Sequence, residues 1–419
     1  MSTSTEIPAL NLEKNLVEWE RATSLIPGGA LGIRRPYNFV EGEFPIFIDH
    51  GQGGQIVDVD GNTFTDFLCA YGPIILGYRE QEVDEAVISR IREKGFCFSL
   101  TQVLQNELAE VLRDIIPCAQ MSLFVKTGSD ATSVAVRLAR AFTQRTGIIR
   151  CGYHGWHDWC VEVKGGIPAK LYEDVREFPY NDLDALESLL KQHGEDTAAI
   201  ILTPYGHPLA APMEDPAPGF LEGAKKLAHC YGALLIFDEI RTGFRLALGG
   251  AQERFGVTPD VAVFGKAMAN GYAIAAVTGR KDIMMMGEKE VFVSSTYFPN
   301  SLGYVAALKT IEILQRDQVI PSIEKKGQYF MTGVQQAIEK SGISAQLSGL
   351  PQMNFITFPK DQTGLYKKQR KAFFTHLIRQ GVFLQPYHHG YICHRHTLQE
   401  LEKALRVIEQ AFMTIREFE

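Results

Sequence analysis

The 419-residue chain lacks the marks of several large classes of protein. No apolar run approaches the roughly 20 residues that a membrane-spanning helix requires. The opening stretch, MSTSTEIPALNLEKNLVEWE, has no basic segment followed by an apolar one, so nothing reads as a secretory leader. Basic charge is not in excess: 42 Lys and Arg against 49 Asp and Glu leave a net charge of −7, a poor match to nucleic acid or to an anionic membrane surface. The seven cysteines (Cys69, Cys97, Cys118, Cys151, Cys160, Cys230 and Cys393) contain no CxxC pair and no metal-type grouping. They read as free thiols of a reducing cytoplasm, most of them small buried hydrophobes. Internal repeats, low-complexity tracts and flexible linkers are missing too.

What remains is a globular composition, 45% hydrophobic and 22% charged, long enough for two domains. Residues 11–25 have the spacing of a short amphipathic helix. Residues 55–67, QIVDVDGNTFTDF, alternate around Asp60-Gly61-Asn62 and predict a hairpin. Beyond residue 80, helix-period stretches (82–95, 103–115, 129–145, 182–193, 218–231) alternate with short apolar runs. The runs are SLFVK (122–126), GIIRC (147–151), AIILT (199–203), LLIFD (234–238), VAVFG (261–265) and AIAAVTG (273–279). Uninterrupted apolar runs between helices indicate strands buried on both faces, hence a mostly parallel, doubly wound α/β sheet flanked by helices. The last hundred or so residues mix helices (303–317, 322–340, 367–379, 398–414) with short strands (353–358, 381–384) and read as a smaller α+β domain. The expected division is 1–64 joining the small domain, 65–310 as the large domain and 311–419 as the rest of the small one.

Ligands of such sheets sit beyond the carboxyl ends of the strands, so the polar residues after each run matter most. After SLFVK, the turn Thr127-Gly128-Ser129-Asp130 opens a helix and presents backbone N–H groups fit for a phosphate, although an ordinary helix cap by Thr127 or Ser129 uses the same residues. After GIIRC come Tyr153, His154, Trp156, His157 and Trp159, a stacking surface for a flat ligand or an aromatic corner of the core. After LLIF comes Asp238, a carboxylate at a buried strand tip that needs a cation, whether a protonated pyridine nitrogen or Arg241 or Arg245. After VAVFG comes Lys266, a lysine whose burial is explained by covalent capture as an imine, or else by a side chain snorkelling to the surface. Each feature alone is weak. The four together are what pyridoxal 5'-phosphate (PLP) needs: phosphate cradle, ring stack, pyridinium partner and Schiff-base lysine.

The motifs PGG (27–29), DVDGN (58–62), GPIILGY (72–78), KTGSDAT (126–132), YHGWHD (153–158), FDEIRTGFR (237–245) and FGKAMANG (264–271) make the chain resemble class III, fold-type I PLP aminotransferases over about residues 24–414. Within them it is similar to the glutamate-1-semialdehyde aminomutase-like branch. The resemblance implies that Gly128 and Ser129 bind the phosphate, Tyr153 stacks on one ring face with His154 beside it, and Ile240 packs on the other. It implies further that Asp238 holds the pyridine nitrogen, Glu239 sits near the phenolic oxygen, and Lys266 is the catalytic amine. Thr296 would reach the phosphate of a neighbouring subunit in a cytoplasmic homodimer with shared sites. Arg34 or Arg35 would take a substrate carboxylate, with Tyr71 near the substrate.

Departures bear on the substrate. The segment PYHHGYICHRH (386–396) has no acid where the aminomutases keep a gating glutamate, and Gln385 stands where many relatives carry a carboxylate-binding arginine. Carboxylate recognition falls to Arg34, Arg35, Arg241 or the histidines. The cluster His388, His389, His394 and His396 fits no common zinc spacing, and no metal is expected. His388 and His389 instead suggest a hydroxylated, sugar-like carbonyl acceptor aminated from an amino-acid donor such as glutamate. Candidates are the transaminase forming 8-amino-3,8-dideoxy-manno-octulosonate for lipopolysaccharide and those of aminoglycoside pathways. Intramolecular amine transfer of the aminomutase type is the alternative, and a binding protein without turnover is disfavoured by the Asp238–Lys266 pair.

Overall fold

The computed structural model describes residues 7–206 and 211–416. The chain divides into two compact units. A terminal unit takes the chain up to Glu80, a short stretch ending at Met213, and the chain from Pro321 onward; a central unit takes Gln81–Pro208 and Glu214–Ile320.

The terminal unit begins with helix Glu13–Leu25, then strands β1 (Ile48–Gln52), β2 (Gln55–Asp58) and β3 (Thr63–Asp66). β2 and β3 form the expected hairpin, with Ile56 opposite Phe64. The Asp58 carboxylate closes the turn by accepting from the backbone N–H of Asp60 at 3.0 Å and of Asn62 at 2.8 Å, and Gly61 takes the positive φ of 91° that the turn needs.

The central unit holds a seven-stranded sheet: β4 (Met121–Val125), β5 (Gly147–Cys151), β6 (Val175–Glu177), β7 (Thr197–Leu202), β8 (Leu234–Asp238), β9 (Val261–Phe264) and β10 (Ala275–Gly279), in the order β4-β10-β9-β8-β7-β5-β6. Every residue of β5, β7, β8, β9 and β10 is buried. Apolar side chains on both faces are what an unalternating run requires. Only β10 runs against its neighbours β4 and β9. Two reversals restore the direction, so β4, β5, β7, β8 and β9 all end at the same edge of the sheet. That edge therefore collects Gly128, Tyr153, Thr203, Asp238 and Lys266. The edge strand β6 is only partly buried, which is why no apolar run marks it.

The terminal unit resumes with β11 (Gln346–Leu350), β12 (Met353–Thr357), β13 (Val382–Phe383) and β14 (Gly390–Tyr391). β13 pairs in parallel with β3, and β11, β12 and β14 make a three-stranded sheet. The fold class is the expected one: a mostly parallel large sheet with smaller sheets built from both chain ends. No helix among the described residues is long and apolar enough to cross a membrane.

Candidate active site

The register sets Asp238 beside Val263, three residues before Lys266. Asp238 is 5% exposed, and its two oxygens are held from different elements. Oδ1 accepts from the backbone N–H of Ile240 at 3.1 Å, and Oδ2 lies 2.8 Å from Nδ1 of His154. His154 follows β5, is 2% exposed, and lies parallel to Trp159 with 6.3 Å between ring centroids. Its Nε2 is buried without a hydrogen-bond partner among the described residues. Such an atom is uncommon in a finished interior and marks a place prepared for something more.

Lys266 keeps some accessible surface, yet its ammonium is pushed down to about 7, first by burial and then by the positive charge of Arg241. Asp238 works in the opposite direction. About half of the amine is thus uncharged near neutral pH, the state in which a lysine acts as a nucleophile. Its backbone sits at φ 43°, a left-handed conformation that a non-glycine residue adopts at a cost.

Glycines bring the other pieces together. A Cβ on Gly128 or on Gly265 would fall 3.2 Å from Cδ1 of Ile240, so the isoleucine packs between the turn after β4 and the turn holding Lys266. A Cβ on Gly155, at φ 119°, would fall 2.4 Å from Oγ of Ser129. The aromatic turn therefore closes directly on the Gly128-Ser129 turn, and Ser129 Oγ accepts from the backbone N–H of Trp156 at 3.3 Å. Thr132 adds a 2.7 Å bond to the carbonyl of His154. The sequence singles out Gly128, whereas Gly155 and Gly265 flank motifs whose side chains draw attention first and receive no role from it. The helix Gly128–Thr143 is capped by Thr127 in a capping box with Asp130, leaving Ser129 to the neighbouring turn. Tyr153 keeps 42% of its surface exposed, and the Arg241 guanidinium lies 5.9 Å from its ring centroid.

Glu239 is placed differently from the expectation. Its carboxylate accepts from the Thr242 hydroxyl and from the backbone N–H of Ala251 at 2.7 Å and Gln252 at 2.9 Å. It caps the start of helix Ala251–Phe255, fully buried, and burial pushes its pKa up to about 7. Thr296 is exposed, on the segment leading into helix Leu302–Arg316.

The expected substrate residues lie in the terminal unit. Arg35 donates from Nε to the carbonyl of Ala30 at 3.0 Å and fills the space where a Cβ on Gly28 would be, 2.8 Å away; it locks the PGG turn. Arg34 is exposed, with its guanidinium 5.6 Å from the Tyr71 ring centroid. Tyr71 meets His388 edge-on at 5.1 Å, and His389 Nε2 is 2.8 Å from the Tyr391 hydroxyl. Arg34, Tyr71, His388 and His389 thus form one connected group. Gln385 is buried and tied at both ends, to the carbonyl of Asn38 and the backbone N–H of Tyr387. His396 joins Cys69 and Cys393 within 4.8 Å. Both of its ring nitrogens are engaged, Nδ1 by the Cys393 N–H and Nε2 by the Asp66 carbonyl, each at 3.1 Å.

The central-unit residues fit PLP. A buried carboxylate backed by an imidazole, a lysine that loses its proton readily, an exposed aromatic face and a glycine turn at a helix start lie at one sheet edge, beside a buried nitrogen that lacks a partner among the described residues. Comparison with known proteins agrees. The family model for class-III aminotransferases matches residues 37–412. A 3-aminobutyryl-CoA aminotransferase of Cloacimonas acidaminovorans is 58% identical over 407 residues, 97% of this chain and 98% of that protein. A glutamate-1-semialdehyde 2,1-aminomutase of Syntrophobacter fumaroxidans is 34% identical, covering 95% of this chain and 97% of that one. The FumI protein of Sphingopyxis sp. MTA144, solved in its PLP internal aldimine form, superposes with a TM-score of 0.91 at 30% identity, covering 96% of each chain.

Proposed function

We propose, for a chain that belongs to the class-III aminotransferases, that its amino-group transfer runs between a 3-aminoacyl-CoA thioester and a 2-oxo acid such as 2-oxoglutarate. The cofactor is PLP, which when bound supplies an electron sink for the carbon that loses its proton. Lys266 would hold it through its amine and carry the proton between substrate carbon and cofactor. Asp238, steadied by His154 and the Ile240 N–H, would keep the pyridine nitrogen protonated. Gly128 and Ser129 would bind the phosphate, and Tyr153 and Ile240 would flank the ring. The observation that carries the transferase chemistry is the buried Asp238–His154 pair at the same sheet edge as a lysine whose ammonium is pushed far below its ordinary value.

The thioester is supported by the 58% identity, sustained over nearly the whole length, to the Cloacimonas protein. It displaces the sugar-like acceptors expected from the polar loop. In the structure His388 and His389 are turned on Tyr71, Tyr391 and each other. Intramolecular transfer, suggested by the aminomutase relative, has no carboxylate in 386–396 to act as its gate. The purified holoenzyme should convert 3-aminobutyryl-CoA and 2-oxoglutarate into acetoacetyl-CoA and glutamate, read by mass spectrometry. Turnover of glutamate-1-semialdehyde without a second substrate, with no reaction of the thioester, would sink this reading.

A further inference from the structure

We propose that Arg241 receives the carboxylate of the amino acid and of its 2-oxo partner, so that one site accepts a free acid in one half-reaction and a thioester in the other. This rests on the transferase reading above. The two half-reactions present the same lysine with chemically different molecules. In the thioester the acyl carboxyl is masked, whereas the acid brings a full negative charge that must be met by a cation.

The structure separates the contenders. Arg35 is bonded to the Ala30 carbonyl and wedged against Gly28. Gln385 is tied at both ends. Arg34 is exposed and belongs to the terminal unit. Arg241 alone of the contenders shares the central unit with Lys266, and it is only 9% exposed. Its partners among the described residues are neutral: the carbonyl of Gly206 at 3.3 Å and the face of Tyr153. No carboxylate among the described residues lies within ion-pair distance of it. A guanidinium has five N–H donors in a planar fork, and among the described residues one carbonyl takes up only part of that fork. Burying that charge without a counter-ion is unfavourable, and an incoming carboxylate removes the penalty. Arg241 is also close enough to help depress the Lys266 ammonium, so a carboxylate there neutralises a charge felt at the reacting amine.

The test compares two substrates within one variant, so that damage common to both cancels. Single-turnover kcat/KM values for glutamate and for 3-aminobutyryl-CoA are read from the cofactor absorbance of wild-type, Arg241→Gln and Arg241→Lys holoenzymes. In Arg241→Gln the glutamate-to-thioester ratio should fall about 100-fold, the scale of losing one partner of a buried charged pair. Arg241→Lys should recover only part of it, since an ammonium replaces the fork by a point charge. An unchanged ratio, with both substrates slowed alike, would overturn the assignment. If the wild-type enzyme leaves the thioester untouched, the substrate reading fails by itself. A carboxylate-free primary amine then takes the thioester's place in the ratio, and Arg241 is judged on that.

Discussion

Lys266 shows how one residue's surroundings set its chemistry. An ordinary lysine ammonium titrates near 10.5, whereas here burial and Arg241 bring it to about 7. Between those values the unfolded chain binds a proton that the folded apo chain does not. Stability of the apo protein therefore rises with pH across that window, and the penalty is complete below about 7. Two outcomes are expected. The rate at which the apo chain takes up PLP, followed by absorbance, should rise with a midpoint near pH 7, because only the uncharged amine attacks. The wild-type apo chain should also gain stability relative to Lys266→Ala as pH climbs from 7 toward 10.5, measured by denaturant titration. An uptake midpoint near the ordinary lysine value would mean that the desolvated pocket is not what the amine experiences.

At the scale of elements, Glu239 ties the exit of β8 to the start of helix Ala251–Phe255 through three donors. The helix is five residues long, too short to persist without such anchoring. Replacing Glu239 by Ala leaves those donors buried and unpaired, an expected loss of about 3 kcal/mol. Chemical denaturation measures it; a loss below about 0.5 kcal/mol would show that water or backbone rearrangement satisfies the donors. The same residue marks a limit of the sequence. FDEIRTGFR places Asp238 and Glu239 side by side and invites a cofactor role for both. Successive side chains along an extended segment point to opposite faces, and the Glu239 N–H still pairs with the Val263 carbonyl as the strand would continue. The central strands were legible because burial on both faces writes itself as an unbroken apolar run. β1, β6 and β11 were not, since their residues are exposed or partly so and carry no periodic signal. The strand tips drew attention to Lys266, Asp238 and the Gly128 turn, which the sheet brings to one edge. The choice between Arg34 and Arg35 stayed open because adjacent arginines look alike until one is seen bonded into the PGG turn.

On the scale of the whole molecule, the segment carrying Thr296 leaves large apolar side chains in water. Phe292 is 79% exposed and Tyr297 63%; Leu100, on the separate segment before helix Leu104–Ile115, is 79% exposed. Thr296 lines one depression with Phe98, Ser99, Thr101 and Tyr304. Large apolar side chains exposed on the segments that also line this depression suit a two-fold interface with a second copy. We therefore expect a homodimer in which Thr296 donates to the phosphate held by the partner's Gly128 and Ser129. Heterodimers of a Thr296→Ala chain with a Lys266→Ala chain decide the matter. If Thr296 acts across the interface, the site built on the intact lysine receives its threonine from the other chain, where it is intact as well. One site is then normal and the second carries both lesions, so the heterodimer has half the activity of wild type per dimer. If Thr296 serves its own chain, each site carries one lesion and none is normal. Titrating PLP into the purified heterodimer counts the tight sites directly. One wild-type-like site per dimer supports the shared arrangement, whereas none, or a fully active monomer by sedimentation, rejects it.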